Sequence, residues 1–195
     1  MPKPPPLILA STSAYRRELL QRLRLPFTVE APGVDESAAA HDPAGPLALR
    51  LAAAKAAAVA ARRTGSLVLG SDQVAQLGRQ RLSKPGGRTQ AIAQLEACSG
   101  QTVEFATAVC LHDGRDATVR SHLDRTRVRF RRLGREEIER YVDADSPFDC
   151  AGGFRCEALG IALFEAIESG DPTALIGLPL IHTARMLREA GVLIP

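Results

Sequence analysis

Apolar residues along this chain fall into short continuous runs that alternate with helix-spaced stripes, and that alternation predicts an α/β fold. Leu7–Leu9 reads as a buried strand, and Tyr15, Leu19 and Leu23 then stand four apart in a helix over 14–24. A second short strand is expected at Phe27–Glu30, followed by a Pro-, Gly- and Asp-rich loop from Pro32 to Pro46. Leu47–Arg63 reads as a long Ala-rich helix and Ser66–Gly70 as a continuous apolar strand of a buried sheet. A hairpin-like stretch at 74–82 and a helix at Thr89–Cys98 follow. Gln101–Leu111 and Ala117–Arg131 alternate as long paired strands joined by His112-Asp113-Gly114-Arg115. Arg135–Val142 is a predicted helix, 147–168 a loop-and-strand region, and Leu180–Ala190 a terminal helix. With no internal repeat and no linker, the expectation is one domain over 1–195 with a mixed sheet.

The chain's first turn carries the clearest chemical signal. Ala10-Ser11-Thr12-Ser13-Ala14-Tyr15-Arg16-Arg17 leads from strand to helix and puts two arginines in the helix's first turn. Cations are misplaced there, because that end of a helix carries partial positive charge. Turn N–H groups, hydroxyls and paired guanidiniums together make an anion site, with phosphate the natural ligand. Arg-Arg pairs also occur at 62–63 and 131–132, so chance placement stands beside the phosphate reading.

Composition narrows the choice. The chain has 195 residues, 45% hydrophobic and only 4% aromatic with no Trp, so its core rests on Ala, Leu, Val and Ile. A net charge of +3 is too balanced for a wholly basic nucleic-acid binder. The basic run Arg125–Arg132 alternates with Thr126, Val128 and Phe130, which is a strand with one solvated face. The Pro2–Pro6 opening does not resemble a secretory signal, and no apolar run approaches the roughly 20 residues of a membrane helix. A cytoplasmic protein is expected. Cys98, Cys110, Cys150 and Cys156 show no C-x-x-C pairing, and His41, His112, His122 and His182 form no motif. Cys150 and Cys156 flank a glycine loop, yet reduced thiols suit the expected compartment, and a nucleophilic Cys150 lacks a base partner.

Further residues carry chemistry that is weak singly. Leu47, Leu51, Lys55 and Val59 are four apart, so a lysine occupies an apolar stripe; it either snorkels to water or enters a polar cleft. Asp72, in Gly70-Ser71-Asp72-Gln73, is expected just beyond the end of a buried strand, where ligands gather in open α/β sheets. A carboxylate there can serve as base or metal ligand, and Gly-Ser-Asp equally suits a turn. Glu36 closes an extended stretch, Lys84 precedes Pro85, and Glu157 ends the Cys150–Glu157 loop, whose glycines permit close approach to a ligand. Together these supply the parts of phosphoryl chemistry.

The ordered set of pieces resembles the Maf family of nucleoside triphosphate pyrophosphatases. The pieces are Leu-Ala-Ser-Thr-Ser with Arg16-Arg17, Val34-Asp35-Glu36, Leu51-Ala52 with Lys55-Ala56, Gly70-Ser71-Asp72, Lys84-Pro85, Ala151-Gly152-Gly153-Phe154 and Gly177-Leu178-Pro179. The resemblance implies an elongated mixed sheet with flanking helices and a deep cleft between two lobes, related to the inosine triphosphatase group. It makes Asp72 the proton acceptor that activates water for attack on the α-phosphorus. It assigns Ser11, Arg16, Arg17, Lys55 and Lys84 to the triphosphate, and Glu36, with Asp72 as a second ligand, to a divalent metal such as Mg, Mn or Co. Among cations Asp72 is expected to stay ionised at neutral pH.

Tyr15, Gln73 and Glu157 resemble the 7-methyl-GTP branch of that family rather than the branch acting on dTTP and UTP. The chemistry agrees, since a cationic methylated base stacks on an aromatic face and a carboxylate accepts from guanine N1–H and the 2-amino group. Tyr15 stands where that branch carries Trp, and packing with Leu19 and Leu23 is its other role. The expected partner is a nucleotide, with no nucleic acid, no membrane, and a homodimer as the candidate assembly. The alternatives are a pyrimidine triphosphate pyrophosphatase and a non-catalytic nucleotide-binding regulator of septum formation.

Overall fold

Three parallel strands begin the architecture. In the computed structural model, which describes residues 5–36 and 42–194, β1 (Leu7–Ala10) pairs with both β2 (Thr28–Glu30) and β3 (Leu67–Leu77). β4 (Gln80–Leu82) returns antiparallel on β3, and β5 (Thr102–Asp113) and β6 (Thr118–Phe130) extend the sheet to β7 (Phe164–Glu168). The order is β2-β1-β3-β5-β6-β7, and β6 and β7 are antiparallel, so the sheet is mixed as expected. The helices are α1 (Ala14–Gln21), α2 (Ala44–Ala60), α3 (Arg88–Cys98), α4 (Arg135–Asp145) and α5 (Leu180–Glu189).

The chain divides into two compact units. The first comprises residues 1–73, 107–124 and 171–195, and the second 74–106 and 125–170. In the first, Leu7, Leu9, Leu67 and Leu69 on one sheet face pack with Leu19 and Leu20 of α1 and Met186 and Leu187 of α5. Each such buried side chain contributes about 1.5–3 kcal/mol. The opposite face takes α2, and Gly70 is the reason it can lie so close. A Cβ at Gly70 would collide with Ala52 O and stand 2.6 Å from Ala56 N. In the second unit, Phe154 meets Phe105, Phe130 and Phe164 edge-to-face at 4.8–5.5 Å between ring centres, a geometry that aromatic quadrupoles favour.

Some boundaries move. The helix predicted to 24 ends at Gln21, because Arg24 takes a left-handed backbone (φ 54°) and Pro26 follows. The predicted loop 32–46 gives way to α2 at Ala44, with Pro46 inside the first turn, where a missing N–H costs nothing. Residues 37–41 of that loop, including His41, lie outside the described residues. The four cysteines are free thiols, so Cys150 and Cys156 form no disulfide. Burial pushes the Cys156 thiol up to about 12. Two of the scattered histidines meet after all, the rings of His122 and His182 stacking in parallel with centres 3.3 Å apart. No helix among the described residues is long and apolar enough to cross a membrane.

Candidate active site

The chemistry of the first unit gathers on β3. That strand does not stop before Asp72, as the sequence suggests, but runs on to Leu77. Asp72 is therefore an interior strand residue and not a turn residue. Its neighbours explain why a polar Gly-Ser-Asp-Gln stretch stays extended: their side chains alternate between two faces and each finds partners. Gly70 and Asp72 face α2, while Ser71 and Gln73 face the segment Asp171–Pro179.

On the α2 side, Lys55 is buried and does not snorkel, which decides between the two readings its apolar stripe left open. Its Nζ lies 2.6 Å from Asp72 Oδ1 and 2.6 Å from Glu36 Oε1. Lys55 and Asp72 are each only 6% exposed, which makes the pair a desolvated one, whereas Glu36 is open to solvent. Burial pushes the Asp72 carboxyl above its ordinary value, although Lys55 and Arg16 pull the other way. Those cations oppose the rise without cancelling it. The donor set offers two hard carboxylates around one cation position. Such oxygens suit a divalent ion whose remaining ligands are phosphate oxygens and water. No group of three His, Cys, Asp or Glu able to hold a metal occurs among the described residues.

The strand-to-helix turn is built as the sequence indicated. Ser13 caps α1, its Oγ accepting from Arg16 N at 3.4 Å, and the buried Ser11 Oγ accepts from Ser13 N at 3.1 Å. Arg16 is partly buried, and desolvation lowers its pKa against the attraction of Asp72 and Glu36. Its Nε donates to Gly177 O at 2.9 Å. Arg17 is exposed, and Tyr15 is half-buried on the same helix.

The other face of β3 holds the Asp171–Pro179 segment. Gln73 Nε2 lies 3.0 Å from Thr107 Oγ1, 3.1 Å from Ala174 O and 2.9 Å from Leu175 O, so its amide group is committed to this segment. Ser71 Oγ lies 2.8 Å from Ala108 O and 2.9 Å from Gly177 O. No sequence signal singles out Ser71, since its partners are 37 and 106 residues away.

Lys84 and Glu157 belong to the second unit, both exposed. Lys84 follows Ser83, whose carbonyl accepts from Gln94 Nε2 at 3.0 Å. Glu157 Oε2 accepts a weak hydrogen bond from Cys156 Sγ at 3.5 Å. Its loop is held by Phe154 in the aromatic cluster and by Arg155, which pairs with Asp145 at 2.6 Å and whose N–H donates to Tyr141 Oη at 3.0 Å. Gly152 and Gly153 there take positive φ (86° and 73°), a backbone that excludes most side chains. Cys150 Sγ donates a weak hydrogen bond to Asp149 Oδ1 at 3.5 Å.

A mixed sheet carrying a buried carboxylate, two cations and a solvent-open carboxylate offers the groups that phosphoryl chemistry uses. The chain matches the family described as Maf-like protein over residues 6–190, and it belongs to that family. A protein from Xanthomonas oryzae pv. oryzae (strain MAFF 311018), named 7-methyl-GTP pyrophosphatase, is 59% identical over 98% of this chain and all of its own length. A protein of the same name from Burkholderia pseudomallei (strain 1710b) is 53% identical over 96% of this chain and 89% of its own. Among solved structures, a HAM1 protein from Coxiella burnetii shares the fold, with a TM-score of 0.52 at 15% identity over 95% of this chain and all of the other.

Proposed function

We propose that this protein is a metal-dependent nucleoside triphosphate pyrophosphatase that converts 7-methyl-GTP and water to 7-methyl-GMP and pyrophosphate. The observation that carries the reading is the buried Asp72 carboxylate, 2.6 Å from Lys55 Nζ, at the place where the Glu36 carboxylate also arrives. Full-length relatives at 59% and 53% identity bearing that name support the choice of substrate.

Lys55 occupies Oδ1 of Asp72, and Oδ2 is the oxygen we assign to water. Asp72 takes a proton from that water as its oxygen bonds to the α-phosphorus. The bond from that phosphorus to the bridging oxygen breaks, and pyrophosphate leaves with the electron pair. Arg16, Arg17, Lys55, Lys84 and Ser11 hold the triphosphate and stabilise the charge that builds on the leaving group. A divalent ion on Glu36 and Asp72, when bound, supplies Lewis-acid stabilisation of phosphate oxygens. Tyr15 and Glu157 read the methylated base through its cationic ring and its N1–H and 2-amino donors. Gln73 acts on base choice through the segment that its amide holds. The reading further takes residues 1–195 as a single catalytic domain, working in the cytoplasm and assembling as a homodimer.

Pyrophosphate release measured over a panel of nucleoside triphosphates, with and without Mg, Mn or Co, tests this. Metal-stimulated turnover with 7-methyl-GTP preferred is the expected result. A wide preference for UTP or dTTP overturns the base reading, and binding without turnover on every triphosphate overturns the enzyme.

A further inference from the structure

We propose that Ser71 is a positioning residue whose buried hydroxyl fixes the Gly177 carbonyl, and that this carbonyl in turn aims the Arg16 guanidinium. The inference rests on the proposed role of Arg16 in gripping the triphosphate.

Two elements distant in sequence converge on one backbone oxygen of a third segment. Gly177 O lies 2.9 Å from Arg16 Nε and 2.9 Å from Ser71 Oγ, so its two lone pairs face two donors. Arg16 Nε–H is the donor nearest the stem of the guanidinium. Holding it sets the plane of the fork and leaves both terminal nitrogens to point onward at an anion. Desolvation at Arg16 makes a fixed neutral acceptor valuable, because it satisfies one N–H without spending the charge.

The carbonyl can direct Arg16 only if its own segment is held in place, and hydrogen bonds hold it from two sides. Asp171, fully buried, accepts from Thr173 N at 2.9 Å and from Ile181 N at 2.7 Å, tying the segment to the start of α5. Gln73 holds Ala174 O and Leu175 O from the sheet side. Gly177 itself adopts φ 127°, which favours glycine, and a Cβ there would stand 3.5 Å from Arg16 Nε. Ser71 is the only residue of β3 whose side chain is shown reaching that carbonyl among the described residues. Its single proton can also go to Ala108 O at 2.8 Å, which would make it merely a sheet contact. Kinetics separates the two roles.

The test compares Ser71→Ala, Ser71→Cys, Arg16→Lys and the Ser71→Ala/Arg16→Lys double variant. It reads KM and kcat for 7-methyl-GTP and competitive inhibition by pyrophosphate. Loss of one aligned hydrogen bond predicts that Ser71→Ala raises KM and the pyrophosphate inhibition constant together by about tenfold. Because Arg16 also stabilises the charge that builds on the leaving group, the same loss should lower kcat as well. Ser71→Cys keeps the volume with a weak donor, so it should move KM the same way even if the alanine variant folds poorly. In the Arg16→Lys background, which lacks the Nε donor, adding Ser71→Ala should change KM by less than about twofold. Unchanged KM in both Ser71 variants, or a further tenfold rise on top of Arg16→Lys, overturns the positioning role. If Arg16→Lys alone leaves KM and pyrophosphate inhibition unchanged, the triphosphate grip itself fails instead.

Discussion

Lys55 Nζ sits 2.6 Å from Asp72 Oδ1 with both side chains withdrawn from water, so the candidate base carries its countercharge built in. That pairing is what keeps a buried carboxylate usable. Desolvation pushes Asp72 upward, and only the adjacent cations oppose it.

Asp72→Asn should therefore remove turnover while leaving the site assembled, because the amide oxygen still accepts from Lys55. We expect kcat for 7-methyl-GTP to fall by about 10²–10⁴ with nucleotide affinity within a few-fold, measured by pyrophosphate release and by calorimetric titration. Activity retained in the Asp72→Asn variant would remove Asp72 from the role of base.

Glu157→Gln tests base reading apart from phosphate chemistry. The amide retains one acceptor oxygen but loses the charge that favours a cationic methylguanine. Its kcat/KM should drop about tenfold or more on 7-methyl-GTP and by much less on UTP, since one charge-assisted hydrogen bond is worth about 1.5–3 kcal/mol. Equal losses on both substrates would show that Glu157 does not discriminate.

Gly70→Ala probes how closely α2 must lie on β3. The added methyl would meet Ala52 O and Ala56 N, both rigid backbone atoms. Pushing α2 outward should cost about 1–3 kcal/mol in urea unfolding. It should also lower kcat by drawing Lys55 off Asp72. Stability lost with kcat intact would mean that the pairing adjusts freely.

Acid stability should report on a different carboxylate. Asp113, buried at the end of β5, accepts from Arg115 N at 3.1 Å, Nε at 2.8 Å and Nη2 at 2.7 Å. Those bonds to Arg115 hold its carboxyl below the ordinary value. A depressed carboxylate stabilises the fold above its unfolded pKa, and that contribution is lost as pH falls through the folded one. Asp113→Asn should cost about 1–3 kcal/mol at pH 7, and the gap to wild type should close below about pH 4, measured by urea unfolding across pH. A gap independent of pH would assign the effect to packing alone.

The sequence by itself determined most of the elements and singled out Asp72, Lys55, Glu36 and Arg16, which the structure brings near one another. Period-2 and period-3.6 patterns are local, so β1, α1, α3 and α5 can be read from neighbouring residues alone. Lys55 was legible for the same reason, as a cation interrupting the Leu47–Leu51–Val59 stripe, and the structure buries it against Asp72. The strand–turn–helix sequence from Leu7 to α1 was likewise legible from the apolar spacing. The continuation of β3 through Ser71, Asp72 and Gln73 was not legible. Polar residues remain in a buried strand only when distant partners satisfy them, here Lys55 on one face and Ala108, Thr107 and Gly177 on the other. The stacking of His122 on His182 and the convergence of Ser71 and Arg16 on Gly177 O are decided in the same way. Each is a meeting of segments far apart in the chain, which no local periodicity encodes and only the tertiary structure brings within hydrogen-bonding or van der Waals reach.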